Sequence, residues 1–319
     1  MKKNILFYFG FHTNLIDYGD GNLGGTETVT INLAHQLSKM GYNVTIMAQN
    51  ISYGEKNGVF YTGDNPDYSE PIDYLISVGS MRGVTRFKNH KVGKFIIYWH
   101  NTEQDYWDKE YLEEDSYENP NYHHIAVSDW HKKFISYSYG IENIDVVPNF
   151  INPELFSSEK EILKQKEGNK FIYTSDLERD FDKVLEKLKD YKKNYELHVS
   201  VPQYALDYAK EYLSKINNPN IIFHESLNKR DLYKLMEKCD YWLYPTDYFE
   251  TFCITALEMQ MNYVVPITSM VAGLQHSVEL NQDFNNNDTL SNKQHRRTFA
   301  EWHNVENAAI TFENILGSW

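Results

Sequence analysis

Residues 248–258 read YFETFCITALE, with Glu250 and Glu258 at the two ends of seven uncharged residues. An ionised carboxylate binds by accepting hydrogen bonds or by pairing with a cation. The surrounding pattern predicts a strand over 241–244, Pro245 as its end, a loop over 246–250 and a helix over 251–261. Glu250 then stands over the strand ends, where open α/β sheets take ligands. The amides near Phe252, Cys253 and Ile254 lack intrahelical acceptors and suit a phosphate. Glu258 follows about two turns later, its side chain leaning back toward the helix start. A ligand with hydroxyls at both ends and an anionic middle fits that layout, as a nucleotide sugar does. The plainer alternative is a first-turn glutamate that favours the helix dipole and a second one on a wet helix face.

A second candidate lies near the amino terminus. Gly24-Gly25-Thr26-Glu27 opens a predicted helix, so that paired glycines allow close approach of backbone to ligand and the helix end offers N–H groups; a turn before a capped helix is the alternative. The preceding run Gly19-Asp20-Gly21-Asn22-Leu23-Gly24 spells G-x-G-x-x-G. It does not follow the first strand directly, and the second strand ends MAQN without an acidic residue for a ribose. Both departures argue against a dinucleotide site.

The elements that must position these residues alternate. Strands are expected at 4–9, 43–48, 74–78, 94–99, 124–127 and 145–147, with helices at 26–40 and 129–137. The pattern restarts after a charged stretch at 159–169. Strands follow at 170–174, 196–201, 220–224, 241–244 and 264–267, with helices at 182–190, 203–216, 228–239 and 251–261. Residues 281–294 read as a polar loop and 299–316 as a helix. Strands separated by helices mean parallel sheets. The fold class is therefore α/β, with two doubly wound parallel-sheet domains in series.

Bulk properties narrow the partners. A chain of 319 residues holds two ordinary domains. A formal net charge of −14 argues against a nucleic-acid polymer as partner. The apolar start, NILFYFGF, is too short for a secretory signal and reads as a strand. No stretch reaches the length of a membrane span. Cys239 and Cys253, both in apolar surroundings, read as buried free thiols in a cytoplasmic protein. No metal-ligand spacing is present, and no metal or other cofactor is expected.

YPTDYFETFCITALE followed by MQMNYVVPIT resembles the E-x7-E segment of the retaining, GT-B-fold glycosyltransferases of the large group 1 family. Other segments resemble the family in the same order: GGTETVTINLAHQLSKMGYNVTI, IAVSDWHKKFISYSYGIENIDVVPNFINPELF, FIYTSDLERDFDKVLEKL and SMVAGLQHSV. Together they span roughly residues 4–280. The resemblance implies sugar transfer from a nucleoside-diphosphate sugar to a hydroxyl of a glycan, lipid-linked or other acceptor, with retention and without metal, and at most peripheral membrane contact. It implies two Rossmann-like domains facing a cleft: an acceptor-side domain over 1–152, joined by a returning helix at 299–319, and a nucleotide-sugar domain over 153–298. It also implies roles. Glu258 accepts from ribose hydroxyls, and Glu250 and His100 lie at the donor sugar. Arg179 neutralises the leaving diphosphate. Phe252, Cys253 and Thr255 hold the diphosphate, with Lys183 as a supporting cation, and Gly24 and Gly25 admit the donor.

The chain departs from the family at several places. Asp180 replaces the glycine after the basic residue and is expected to set a negative charge beside Arg179. Phe150 replaces the glycine of a P-N-G turn. Asn262 replaces the glycine after the E-x7-E helix and is expected as a left-handed cap. These changes keep a second possibility open, a module that binds sugar nucleotides without turnover. Glycoside hydrolysis by the two carboxylates is a third, although it leaves the phosphate-binding features without purpose. The acidic, aromatic stretch 106–122 is an acceptor-pocket candidate or else a solvated loop.

Overall fold

A computed structural model of the chain describes residues 2–10, 24–49, 51, 53–65, 67–102, 104–112, 115–283 and 288–318. The G-x-G-x-x-G run lies outside them up to Leu23. Two compact units emerge, Met1–Phe150 with Val305–Trp319, and Ile151–Asn304. The first contains β1 (Asn4–Phe9), α1 (Gly25–Lys39), β2 (Asn43–Met47), β3 (Gly54–Lys56), β4 (Val59–Thr62), β5 (Ile72–Val78), α2 (Arg82–Arg86), β6 (Val92–Tyr98), α3 (Gln104–Leu112), β7 (Tyr122–Ala126), α4 (Asp129–Tyr139) and β8 (Ile144–Val146). The second contains α5 (Glu159–Gln165), β9 (Lys170–Thr174), α6 (Phe181–Lys189), β10 (Glu196–Ser200), α7 (Leu206–Ser214), β11 (Ile221–Phe223), α8 (Lys229–Lys238), β12 (Tyr241–Tyr244), α9 (Ile254–Met261), β13 (Val265–Thr268), α10 (Leu274–Ser277) and α11 (Leu290–Trp302). The chain then returns to the first unit as α12 (Val305–Ser318).

The first unit's sheet has the order β3-β4-β2-β1-β5-β6-β7-β8 among the described residues. Its pairs are parallel apart from the edge pair β3–β4. That edge pair has no counterpart in the sequence expectations, because its strands are short and carry little alternation. The apolar run Asn4–Phe9 is β1, buried from Ile5 to Phe9. The second sheet, β11-β10-β9-β12-β13, is parallel throughout. In both sheets the strand order reverses beside the unit's first strand, at β1|β5 and at β9|β12. Such reversals place two loops side by side at the carboxyl ends of the strands.

Three expectations need correction. The loop expected over 281–294 gives way to α11 from Leu290, because Thr289 Oγ1 accepts the Asn292 N–H at 3.1 Å and caps a helix there. The helix expected over 299–319 is two helices, broken at His303 and Asn304. Ile151 N–H bonds to the His303 carbonyl at 3.0 Å there, and Ile151 bridges Asn304 in parallel. Stretch 106–122 is not a solvated loop throughout. Asp108 is fully buried and accepts from Ser80 Oγ, Met81 N–H and Tyr117 Oη at 2.6, 2.8 and 2.9 Å. Tyr117 packs on Trp99 at 4.9 Å and is core, not a free face for a sugar.

Helix α12 closes the first unit through Phe312, which is fully buried, 6.4 Å from Phe7 and 6.0 Å from Tyr98 between ring centroids. In the second unit Arg296 and Asp288 form a pair at 2.6 Å with side chains 1% and 6% exposed. Arg296 also donates to the Leu280 carbonyl at 3.1 Å. Removing one partner leaves the other charge stranded, so Arg296→Met should lower unfolding stability by about 3–5 kcal/mol. Urea titration of the variant against the parent measures it, and a loss below about 1 kcal/mol would refute the account.

Three histidines of the first unit are buried and neutral. Burial, helped by nearby His131, lowers His100 to about 3. Burial lowers His124 and His131 to about 4 each. His124 Nδ1 accepts the Trp99 indole N–H at 3.0 Å, a bond that protonation at Nδ1 would break. In the unfolded chain these rings take protons near 6.5, so between 6.5 and 4 the unfolded state binds more protons than the folded one. Their contribution is complete above pH 6.5 and is lost as pH falls. Each ring contributes a slope of up to about 1.4 kcal/mol per pH unit. Urea unfolding at pH 7.5, 6.5, 5.8 and 5.2 should show stability falling steadily below 6.5; a flat profile over that interval contradicts the burial of these rings.

Candidate functional site at the strand reversal of the second sheet

The loop after β9 carries Arg179 and the loop after β12 carries Glu250, so the reversal at β9|β12 brings them together. Arg179 Nη1 donates to Glu250 Oε1 at 2.9 Å. Tyr244 Oη, on the last residue of β12, donates to the same oxygen at 2.6 Å. The Arg179 guanidinium lies 4.1 Å from the Tyr248 ring centroid, a cation–π contact. The side chains of Arg179 and Glu250 are 30% and 14% exposed, so the pair is sheltered yet reachable. Burial is the largest influence on Arg179 and opposes its charge, but the Glu250 carboxylate together with the Tyr244 and Tyr248 phenols outweighs it, and the guanidinium's pKa is raised. Burial and the same carboxylate push the Tyr244 phenol upward. Glu250 therefore holds a fixed cation, a suitable arrangement for meeting an anion.

Asp180 does not act on Arg179 as the sequence suggested. Its backbone is left-handed, with φ +64°, which is why glycine suits the position. Its Oδ2 accepts the Asp247 N–H at 2.7 Å and the Thr246 hydroxyl at 3.2 Å, and its Oδ1 pairs with Lys183 at 3.3 Å. The Asp247 amide, then Lys183, lower its pKa. Asp180 thus ties the two loops together. Lys183 is drawn to Asp180 and to Asp247 Oδ2 at 2.5 Å.

Helix α9 starts at Ile254, not at Thr251. The reason is visible in the backbone: the Glu250 carbonyl, which a helix from Thr251 would use internally, accepts the Gly273 N–H at 2.7 Å. A Cβ at Gly273 would lie 2.3 Å from the Thr251 carbonyl oxygen and 2.4 Å from that of Glu250. The glycine of SMVAGLQHSV is thus required by contact with the Glu250 segment. Cys253 becomes the residue before the helix, and the first-turn amides belong to Ile254 and Thr255. Phe252 is buried, its ring 5.6 Å from that of His303. Cys253 and Cys239 are buried free thiols, both raised by burial, Cys239 to about 12. Met270 and Ala272 nearby have φ +56° and +54°, so left-handed strain is concentrated beside the site.

Glu258 is not on a wet face. It is 1% exposed, and its Oε1 accepts from Lys229 Nζ at 2.5 Å and Tyr233 Oη at 2.9 Å. Its Oε2 is buried without a hydrogen-bond partner among the described residues. Asn262 is not left-handed, with φ −90°; Tyr263 takes that role at +58°. Asn262 instead donates through Nδ2 to the Glu258 carbonyl at 3.0 Å and closes the helix by side chain. In the first unit, Gly24 caps α1 with its carbonyl accepting from Thr28 N–H and Oγ1, and Gly25 begins the helix. His100 follows β6, buried against Tyr98 at 4.3 Å. Phe150 is buried at the end of that unit. Sequence reasoning missed Tyr244, Tyr248, Lys229 and Tyr233. Only Tyr244 had a local signal, its place as last strand residue before Pro245.

The two Asp180 functions can be separated. Both Asp180→Gly and Asp180→Ala remove the carboxylate, but only alanine keeps a side chain at positive φ. Alanine should be the less stable of the two by about 1 kcal/mol in thermal or urea unfolding. Equal stabilities would mean the left-handed backbone is not retained.

Residues 156–295 match the profile of a family described as "Glycosyl transferases group 1". No curated protein sequence gives a significant match. Solved structures match over nearly the whole chain. Anabaena Alr3699/HepE in complex with UDP and glucose is 13% identical, covering 99% of this chain and 100% of its own, at a TM-score of 0.73. Sucrose-phosphate synthase from Thermosynechococcus elongatus is 12% identical over 99% of each chain, at 0.71. A glycosyltransferase from Rickettsia africae is 14% identical over 99% and 98%, at 0.69. At such identities the likeness shows the fold, two parallel α/β units in series of the GT-B type.

Proposed function

We propose that the chain is a group 1 glycosyltransferase, a retaining enzyme that takes a sugar from a nucleotide sugar, and that its donor is a nucleoside-diphosphate hexose gripped at the β9|β12 reversal; the profile match over residues 156–295 supports the reading. The observation that carries the reading is the Arg179–Glu250–Tyr244 cluster beside the amino end of α9, with Glu258 buried on the same helix. The diphosphate meets Arg179 and the first-turn amides of Ile254 and Thr255, next to Phe252 and Cys253. Lys183 adds positive charge nearby. The ribose hydroxyls donate to Glu258. His100 and the Gly24-Gly25 pair are assigned to the donor by the resemblance alone. UDP is the nucleotide to test first, because the Anabaena structure carries it.

The bond from the anomeric carbon to the β-phosphate oxygen breaks, and the acceptor oxygen bonds to the same face. The acceptor's proton goes to the departing diphosphate oxygen. Arg179 stabilises the charge that develops there; fixed charge is most effective where charge appears. Glu250 is a poor nucleophile for a double displacement, because its Oε1 already accepts from Arg179 and Tyr244. Its part is to fix Arg179 and to meet the sugar. The acceptor is a hydroxyl of a glycan, a lipid-linked saccharide or another alcohol. No helix among the described residues is long and apolar enough to cross a membrane, and buried free thiols suit a cytoplasmic setting.

A thermal-shift series with UDP, GDP, ADP and their sugars tests the reading. At least one nucleotide should raise the melting temperature, and Glu258→Ala should abolish the rise. Saturation at 100 times Kd corresponds to about 2.7 kcal/mol, a shift easily read. Absence of a shift with every compound would remove the donor assignment.

A further inference from the structure

The buried Glu258 carboxylate is half satisfied. Oε1 takes two donors, Lys229 Nζ and Tyr233 Oη, whereas Oε2 has none among the described residues. A buried charge left in that state is costly unless a partner arrives. The two donors come from one face of α8, four residues apart. Each is held in turn. Asn228 caps α8 by accepting the Asp231 N–H at 3.0 Å and so sets the position of Lys229. Tyr233 stacks on Phe156 at 4.5 Å with 27° between the ring planes. The placement of Lys229 is also informative. A cation in the first turn of a helix opposes the helix dipole, so α8 does not gain from a lysine there. The gain lies across the gap between helices, at Glu258. Two donors on one oxygen fix the rotation of the carboxylate and leave Oε2 as an acceptor facing an unfilled need. A ribose hydroxyl is a neutral donor of suitable size.

We infer that Lys229 and Tyr233 are positioning residues for Glu258, fixing Oε2 as the acceptor for a ribose hydroxyl of the nucleoside-diphosphate donor. This rests on the donor assignment above. Neither residue touches the reacting atoms; both act through the carboxylate.

Calorimetry tests it with two probes, UDP and 2′,3′-dideoxy-UDP (or the GDP or ADP pair, if the thermal-shift series selects that base). The parent protein should prefer the ribonucleotide by about tenfold or more, the size of one or two charged hydrogen bonds. Lys229→Met should bring that preference to within about threefold by weakening the ribonucleotide. Lys229→Arg should largely keep it. Tyr233→Phe, a nearly isosteric change, should reduce it several-fold and covers the case in which Lys229→Met fails to fold. In a Glu258→Gln background, Lys229→Met should have little further effect, as coupling through one carboxylate demands. In turnover assays the donor KM should rise while kcat stays close to the parent's. Equal weakening of both probes in Lys229→Met would mean a general attraction for phosphate and would overturn the inference. So would an unchanged preference in Tyr233→Phe and Lys229→Met together. If the parent binds none of the nucleotides, the donor assignment itself fails, an outcome distinct from either of these.

Discussion

The ion pair between Arg179 and Glu250 joins the two loops that leave β9 and β12. Those strands are neighbours in the sheet although about seventy residues separate them, because the winding order reverses there. A reversal alone leaves two loops side by side with nothing to fix them. The shared Glu250 oxygen, held by Tyr244 from the strand beneath, sets where the guanidinium points. Partial burial shields both side chains from much of the solvent, so the pairing is stronger than a fully exposed ion pair. It still leaves the guanidinium nearly a third exposed.

Around that pair the backbone is held in unfavourable states. Asp180, Met270 and Ala272 have left-handed φ without being glycine, and Gly273 is pressed against the carbonyls of Glu250 and Thr251. Each strained residue costs of order 1 kcal/mol, and hydrogen bonds offset it. Asp180 accepts from the Thr246–Asp247 segment, and the Glu250 carbonyl takes the Gly273 amide. The same contacts delay the start of α9 to Ile254 and so choose which amides open the helix. The departures from the family's glycines are not gaps in the site. Aspartate at 180 supplies a tether that glycine lacks, and Asn262 closes α9 with its side chain while Tyr263 takes the left-handed turn.

The carboxylates show how far a local reading reaches. Glu250 and Glu258 stand out because seven uncharged residues lie between them. Their opposite fates do not show. Glu258 reads equally as a wet-face residue, and its burial depends on Lys229 and Tyr233, supplied from a helix more than twenty residues away. Asp108 is similar: an acidic, aromatic stretch looks solvated until Ser80 and Tyr117 close on the carboxylate. A charge's surroundings come from distant chain, and no window of neighbouring residues contains them.

The sequence by itself determined the alternation of strands and helices, the restart after the first sheet, and the short list of residues proposed to hold a nucleotide sugar. Periodicity and turn residues act within a few positions, so they are written locally. Only the tertiary structure decided which of those residues meet. It joined Arg179 to Glu250 through the strand reversal, gave Lys229 to Glu258, turned Asp180 away from Arg179 and split the final helix at His303. These outcomes depend on strand order and on the distances between side chains, which a linear spacing does not encode.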